Sequence, residues 1–209
     1  MPEPLKPEEV KSQTDPSVAK QYDESAPLDK KLEDFYAIAD KIKISMLGTY
    51  RNGIGPVSRC MAVAKRSGPD FLFLANAHSR KFVDLEKNGE AQVIFHNNSS
   101  QDWISVSGIA TTSSSDPRIR EIYSSGVKAW FGDLKDGVHD GGPSDPRMKL
   151  IEVKAKYISY YKSESGMLGA AKEIIGANLT GGVANTGVLR EIKGNELDQA
   201  RAKDSALTS

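Results

Sequence analysis

Serine, arginine and lysine stand together at Ser79-Arg80-Lys81, after the apolar run Phe71-Leu72-Phe73-Leu74-Ala75-Asn76 and at the start of a helical pattern that turns Phe82 and Leu85 inward. A serine before a helix is an ordinary N-cap, accepting from a free backbone N–H. Two cations in the first turn are not ordinary. They face the positive end of the helix dipole, at a cost of roughly 0.3–1 kcal/mol each. A phosphate at this turn would reverse the sign, because N–H groups, dipole, hydroxyl and two cations would converge on one dianion. The plainer alternative is that both basic side chains curl into solvent, where such charges cost little.

Arg59 adds a second oddity. Val57, Arg59, Met61 and Val63 share one strand face, and Ser58, Cys60, Ala62 and Ala64 the other. The Arg59 face is expected to point inward or into an interface, where a guanidinium needs an anionic or multidentate acceptor. Snorkelling from the strand's start is the alternative. A phosphate shared by Arg59, Arg80 and Lys81 accounts for all three cations.

The remaining chemistry-bearing residues point to less. Dinucleotide and P-loop glycine motifs are absent. His78, His96 and His139 have no metal-ligand spacing, and Asp133, Asp136, Asp140 and Asp145 do not follow a calcium-loop order, so no metal site is expected. The single cysteine, Cys60, reads as a small buried filler within a strand. Trp103 and the pair Trp130-Phe131 sit at element edges, where aromatics more often complete a core than bind a ligand. No side chain reads as a convincing acid, base or nucleophile.

The elements that would position these residues are mostly strands. Residues 1–27, with five prolines, read as a disordered arm. Leu32, Phe35, Tyr36 and Ala39 recur at helical spacing within Leu28–Lys43. Strands are predicted at 44–50, 57–65, 71–76, 91–96, 103–110 and about 151–157, with a turn at Asn52-Gly53-Ile54-Gly55-Pro56 and a helix start at Asp116-Pro117. Six antiparallel strands joined by short turns suggest a small barrel or sandwich over 28–162. Beyond it, 163–209 reads as a helix at Met167–Ala177 followed by a flexible glycine-rich extension.

Composition narrows the partners. The 28 basic and 28 acidic residues cancel, so the basic excess that nucleic-acid binding requires is missing. With 38% hydrophobic and 27% charged residues the chain is a globular mixture. No apolar run approaches the roughly 20 residues of a membrane helix. The start resembles no targeting signal, and one cysteine permits no internal disulfide, so a cytoplasmic setting is expected.

Taken in order, Val57-Ser58-Arg59-Cys60-Met61, the run Phe71–Asn76 leading into His78-Ser79-Arg80-Lys81, Trp103-Ile104-Ser105-Val106-Ser107-Gly108-Ile109-Ala110, Ala129-Trp130-Phe131 and Leu150-Ile151-Glu152-Val153 resemble the pyridoxamine phosphate oxidase-like family. The nearest branch is the general stress protein group with its fungal blue-light-inducible proteins. The resemblance implies a mostly β fold with flanking helices, a six-stranded antiparallel split β-barrel of the FMN-binding type. It also implies a homodimer with flavin at the interface. By position, Arg59, Ser79, Arg80 and Lys81 would hold the FMN phosphate. Cys60, Met61, Ala75 and Asn76 would line the flavin and ribityl chain, and Trp103, Ser105 and Trp130 would reach it from the partner subunit. FAD, deazaflavin and haem are alternatives that related barrels accommodate. The C-terminal Trp-x-Ser-x-Gln-Ser run of true pyridoxamine phosphate oxidases is replaced here by Tyr157-Ile158-Ser159-Tyr160-Tyr161, which argues against vitamin B6 oxidation. Two functions stay open: a flavin-dependent oxidoreductase of unknown substrate, and a non-catalytic flavin-binding stress protein acting as buffer or sensor.

Overall fold

The computed structural model describes residues 21–204 without a break, together with residues 9, 11 and 14–19 ahead of them. Along the chain come α1 (Pro16–Ala19), α2 (Leu28–Lys41), β1 (Ile44–Arg51), β2 (Gly55–Ala62), β3 (Lys65–Ser67), β4 (Asp70–Asn76), α3 (Arg80–Lys87), β5 (Glu90–His96) and β6 (Trp103–Ser113). Then follow α4 (Arg118–Ile122), α5 (Ser125–Lys128), β7 (Met148–Ser163), α6 (Gly166–Thr180), β8 (Gly187–Lys193) and α7 (Asn195–Lys203). The expected mostly β architecture with flanking helices is what the chain forms.

All strand pairs are antiparallel, in the order β2-β1-β5-β6-β7-β4-β3, with β8 added to β7. The two ends of that order, β2 and β3, are consecutive in the chain. Their joining residues are held by Val63 N donating to the Lys43 carbonyl (3.0 Å) and Ala64 N to that of Leu72 (2.9 Å). The sheet therefore curls until both its edges belong to one bent stretch but stays open there, without a ladder between β2 and β3, as a split barrel does. Six of the eight strands match the six expected; β3 and β8 are additional.

Alternation explains the core. Leu47, Phe71, Phe73, Val93, Phe95, Val106, Ile151 and Val153 point into the barrel, and α2 closes it with Leu32, Phe35 and Ile38. Phe35 packs edge-on against Phe71 at 6.1 Å, a geometry favourable to aromatic quadrupoles. On the outer face of β4 and β7, Leu72, Leu74, Met148 and Leu150 are covered by Ile119, Ile122 and Phe131. The strand β6 meets β7 through a bulge beside Ser107 and Gly108. A Cβ on Gly108 would lie 2.3 Å from the Lys154 carbonyl oxygen, so only glycine allows the two backbones this close.

The two chain ends differ from expectation. The N-terminal arm lies partly outside the described residues, but its end is pinned: Leu189 N donates to the Gln21 carbonyl (2.7 Å) and Asp23 N to that of Leu189 (3.0 Å). The supposed flexible extension contains β8, paired with β7 from Tyr157↔Lys193 to Ser163↔Gly187, and α7, whose Leu197 and Ala200 join the core. Charge pairing is the reason. Asp34 of α2, only 2% exposed, accepts from Arg190 of β8 (2.5 Å) and Lys30 (3.1 Å), and also pairs with Lys162 of β7. Arg190 meets Asp23 as well, at 2.8 Å. Burial pushes the Asp34 carboxyl up, yet Lys162 and Lys30 together hold it below its ordinary value.

Candidate anion site on the barrel wall

The turn from β4 into α3 is built by local hydrogen bonds. Ala77 N donates to the Arg147 carbonyl (2.8 Å), His78 N to the Asn76 side-chain oxygen (3.0 Å) and Ser79 N to the Asn76 carbonyl (3.0 Å). Asn76 thus shapes the turn, while Ala75 is buried in the core. Ser79 takes the N-cap position, but its hydroxyl makes no capping bond. It accepts instead from Lys81 Nζ at 2.8 Å. The backbone N–H groups of Arg80 and Lys81 donate to no protein acceptor among the described residues.

Lys81 is half-buried and forms no ion pair among the described residues; its other neighbour is the Phe82 ring, 5.9 Å away. Burial lowers its pKa from 10.5, and the nearby Arg59 charge lowers it further. Arg80, in contrast, is exposed.

Arg59 does face inward, half-buried on β2. Its guanidinium donates to the Leu47 carbonyl (3.0 Å) and Thr49 Oγ1 (2.8 Å) and approaches Asp84 at 3.4 Å. Asp84, buried on α3, accepts from Thr49 Oγ1 (3.0 Å) and bidentately from Arg51 (3.0 Å to each oxygen). The Arg51 hydrogen bonds are the main reason its carboxyl stays below the usual range. Asp84, Arg51 and Thr49 are absent from the sequence reading. The available signal was spacing: Asp84 lies three residues after Lys81, on the same helical face. One carboxylate thus serves two arginines and anchors α3 to β1, while Lys81 has no carboxylate partner among the described residues.

Other expected site residues fall on the opposite side of the sheet wall. Cys60 is exposed, not a buried filler, and its Sγ lies 3.3 Å from Met46 Sδ on the neighbouring strand. The reason is parity: Arg59 takes the inward position, so Cys60 must point out. Met61 returns inward, half-buried against the core. Ser105 shares the outward face with Cys60 and accepts from Gln92 Nε2 at 3.0 Å. The register row Arg59↔Leu47↔Val93↔Val106 puts Trp103 three strands across and three residues along from Arg59. Trp130 is 86% exposed beside the buried Phe131. One chain therefore gathers Arg59, Ser79 and Lys81, with Asn76 at the turn, and leaves Trp103, Ser105 and Trp130 elsewhere.

The outward face has two hollows. One of about 450 Å³ lies over Gly48, Ser58, Gln92 and Ser107. The other, about 350 Å³, lies between His96, Trp103, Tyr161 and Thr186. Ile44, Met46 and Tyr50 are exposed on the same face. Among the described residues no cluster of three His, Cys, Asp or Glu could hold a metal ion, and no helix is long and apolar enough to cross a membrane.

Comparison with known proteins agrees with this fold. The chain is 38% identical to Protein bli-3 of Neurospora crassa over 191 residues, which cover 90% of this chain and 91% of that protein. A general stress protein 26 described as putative, from a Jannaschia species, superposes with a TM-score of 0.60 at 20% identity, covering 79% of this chain and 99% of that one. A pyridoxamine 5'-phosphate oxidase-related, FMN binding protein of Nostoc punctiforme superposes at 0.51, with 12% identity and coverage of 66% and 85%. The family model for pyridoxamine 5'-phosphate oxidase like proteins matches residues 30–185, from α2 to the threshold of β8. The chain belongs to the pyridoxamine 5'-phosphate oxidase-like family.

Proposed function

We propose that this protein binds FMN and works as a flavin-dependent oxidoreductase, with the phosphate at Ser79, Lys81 and Arg59. The observation that carries this reading is Lys81: a half-buried cation at a helix start, with a hydroxyl beside it, two undonated N–H groups behind it and no carboxylate partner among the described residues. That donor set fits a dianionic phosphate. FMN, when bound, would supply the hydride or electron chemistry; the protein would supply position and charge. Family membership and the likeness to the Nostoc FMN binding protein support the same ligand.

We further propose a homodimer in which the exposed sheet face, with Cys60, Ser105 and Trp103 on it, meets a second copy and shares the flavin with it. A reducing cytoplasm would keep the exposed Cys60 a thiol. The absorbance spectrum of protein reconstituted with FMN tests the ligand and separates it from FAD, deazaflavin and haem. A preparation that stays colourless after FMN is added sinks the proposal. Rapid reduction by NADH or NADPH, with turnover on an added acceptor, distinguishes the oxidoreductase from a flavin buffer or sensor.

A further inference from the structure

Helix α6 carries a broad apolar arc, Ala170, Ala171, Ile174, Ile175 and Leu179, opposite a narrower side of Lys172, Glu173, Thr180 and two glycines. It nevertheless lies in solvent. Residues 171–180 are exposed except for a half-buried Ala177, with Ile175 60% and Leu179 83% accessible. An apolar arc of this width normally faces a partner. One of this length carrying three glycines is marginal alone in water. Something must cover it.

We infer that α6 docks on the outward sheet face of a second copy of this chain, against Ile44, Met46 and Cys60. Three observations favour that occupant. The corner of this face with Ile44, Met46 and Cys60 is apolar and uncovered, so each chain carries both halves of the contact, and a twofold axis satisfies both at once. The excursion that holds α6 leaves and rejoins the sheet at Ser163↔Gly187, at the rim of this same face, two residues beyond the row His96↔Trp103↔Tyr161↔Leu189. A 15-residue helix is about 22 Å long, and the strands β2-β1-β5-β6 span about 14 Å between their outer members, so α6 is long enough to lie across them. Charge argues against a lipid surface: α6 offers one lysine balanced by one glutamate, and the chain has no net charge to draw it to anionic headgroups.

The inference shares with the proposed function only the second copy, and needs no flavin. Its test uses the full chain carrying Ala171→Cys, Ile174→Cys, Ile175→Cys or Leu179→Cys one at a time, with native Cys60 as the reporter on the sheet face. Light and isotope-labelled chains are mixed, oxidised gently without FMN, and the disulfide-linked peptides read by mass spectrometry. At least one position should link to Cys60 of the other chain. Linkage within one chain, or no link to Cys60 at any of the four positions, overturns the proposal. Ile174→Asp combined with Ile175→Asp should weaken self-association at least tenfold in sedimentation, with the circular dichroism of the barrel unchanged. A dimer as tight as wild type overturns it. Loss of binding to neutral or anionic phospholipid vesicles in that variant, without any change in self-association, would assign α6 to a membrane instead. A chain that binds FMN but is monomeric would refute this inference and leave the flavin reading standing.

Discussion

Replacing Lys81 by methionine removes the ammonium while keeping most of the half-buried stem, so the charge is tested apart from the packing. A hydrogen bond to a charged group is worth about 1.5–3 kcal/mol. Lys81 is only half-buried and shares the phosphate with Arg59 and the helix start, so about 2 kcal/mol is the expected loss, close to thirtyfold in Kd. FMN and riboflavin titrations, followed by flavin fluorescence on flavin-free protein, measure it. Riboflavin, lacking the phosphate, should bind Lys81→Met within threefold of wild type. Stability without flavin should hold or rise slightly, because the lost cation has no carboxylate partner among the described residues and faces Arg59. Arg59→Ala should behave differently. It also breaks bonds to Leu47 and Thr49, so it should lower the melting temperature as well as FMN affinity. A riboflavin loss equal to the FMN loss in Lys81→Met, or unchanged FMN affinity, would refute the placement of the phosphate.

Three further outcomes are expected. The Lys81 pKa is lowered from 10.5 without a ligand, and a phosphate would raise it, so FMN binding should take up protons as the pH rises through the lowered value; calorimetry in buffers of different ionisation enthalpy reads this, and Lys81→Met should abolish it. Asp34→Asn strands three cations around a buried site and should cost about 3 kcal/mol at pH 7 by urea unfolding. Because the folded carboxyl lies below 3.8, its contribution is complete above that pH and fades as pH falls through the folded value; the gap between variant and wild type should close there. Gly108→Ala forces a Cβ against the Lys154 carbonyl and should lower stability by about 2 kcal/mol in the same assay.

Local chemistry made much of this molecule readable. The faces of β2, the turn at Asn52-Gly53 and the start of α3 follow from alternation, turn residues and the capping position, and all fall close to where they were expected. Alternation divides β2 into two faces without saying which is dry. The Arg59 face is inward because Asp84, 25 residues away, meets its guanidinium. The same limit hid β8. Read alone, Arg190 breaks the apolar alternation of Val188 and Ile192; it is buried only because Asp34, 156 positions earlier, is waiting for it. Pairings at that distance leave no local periodicity to detect.

The position of Arg190 has a consequence for the order of events in synthesis. Asp34 enters the nascent chain early, on a helix that closes the barrel, and two of its lysines come from residues 30 and 162. The guanidinium that completes its shell emerges only with residue 190, past the segment that aligns with the family. Until residue 190 is made, Asp34 is short of one counter-charge and Asp23 has no guanidinium to fasten the stretch leading into α2. A chain ending before residue 190 would leave α2 loosely held; β8, the last strand among the described residues, locks it down.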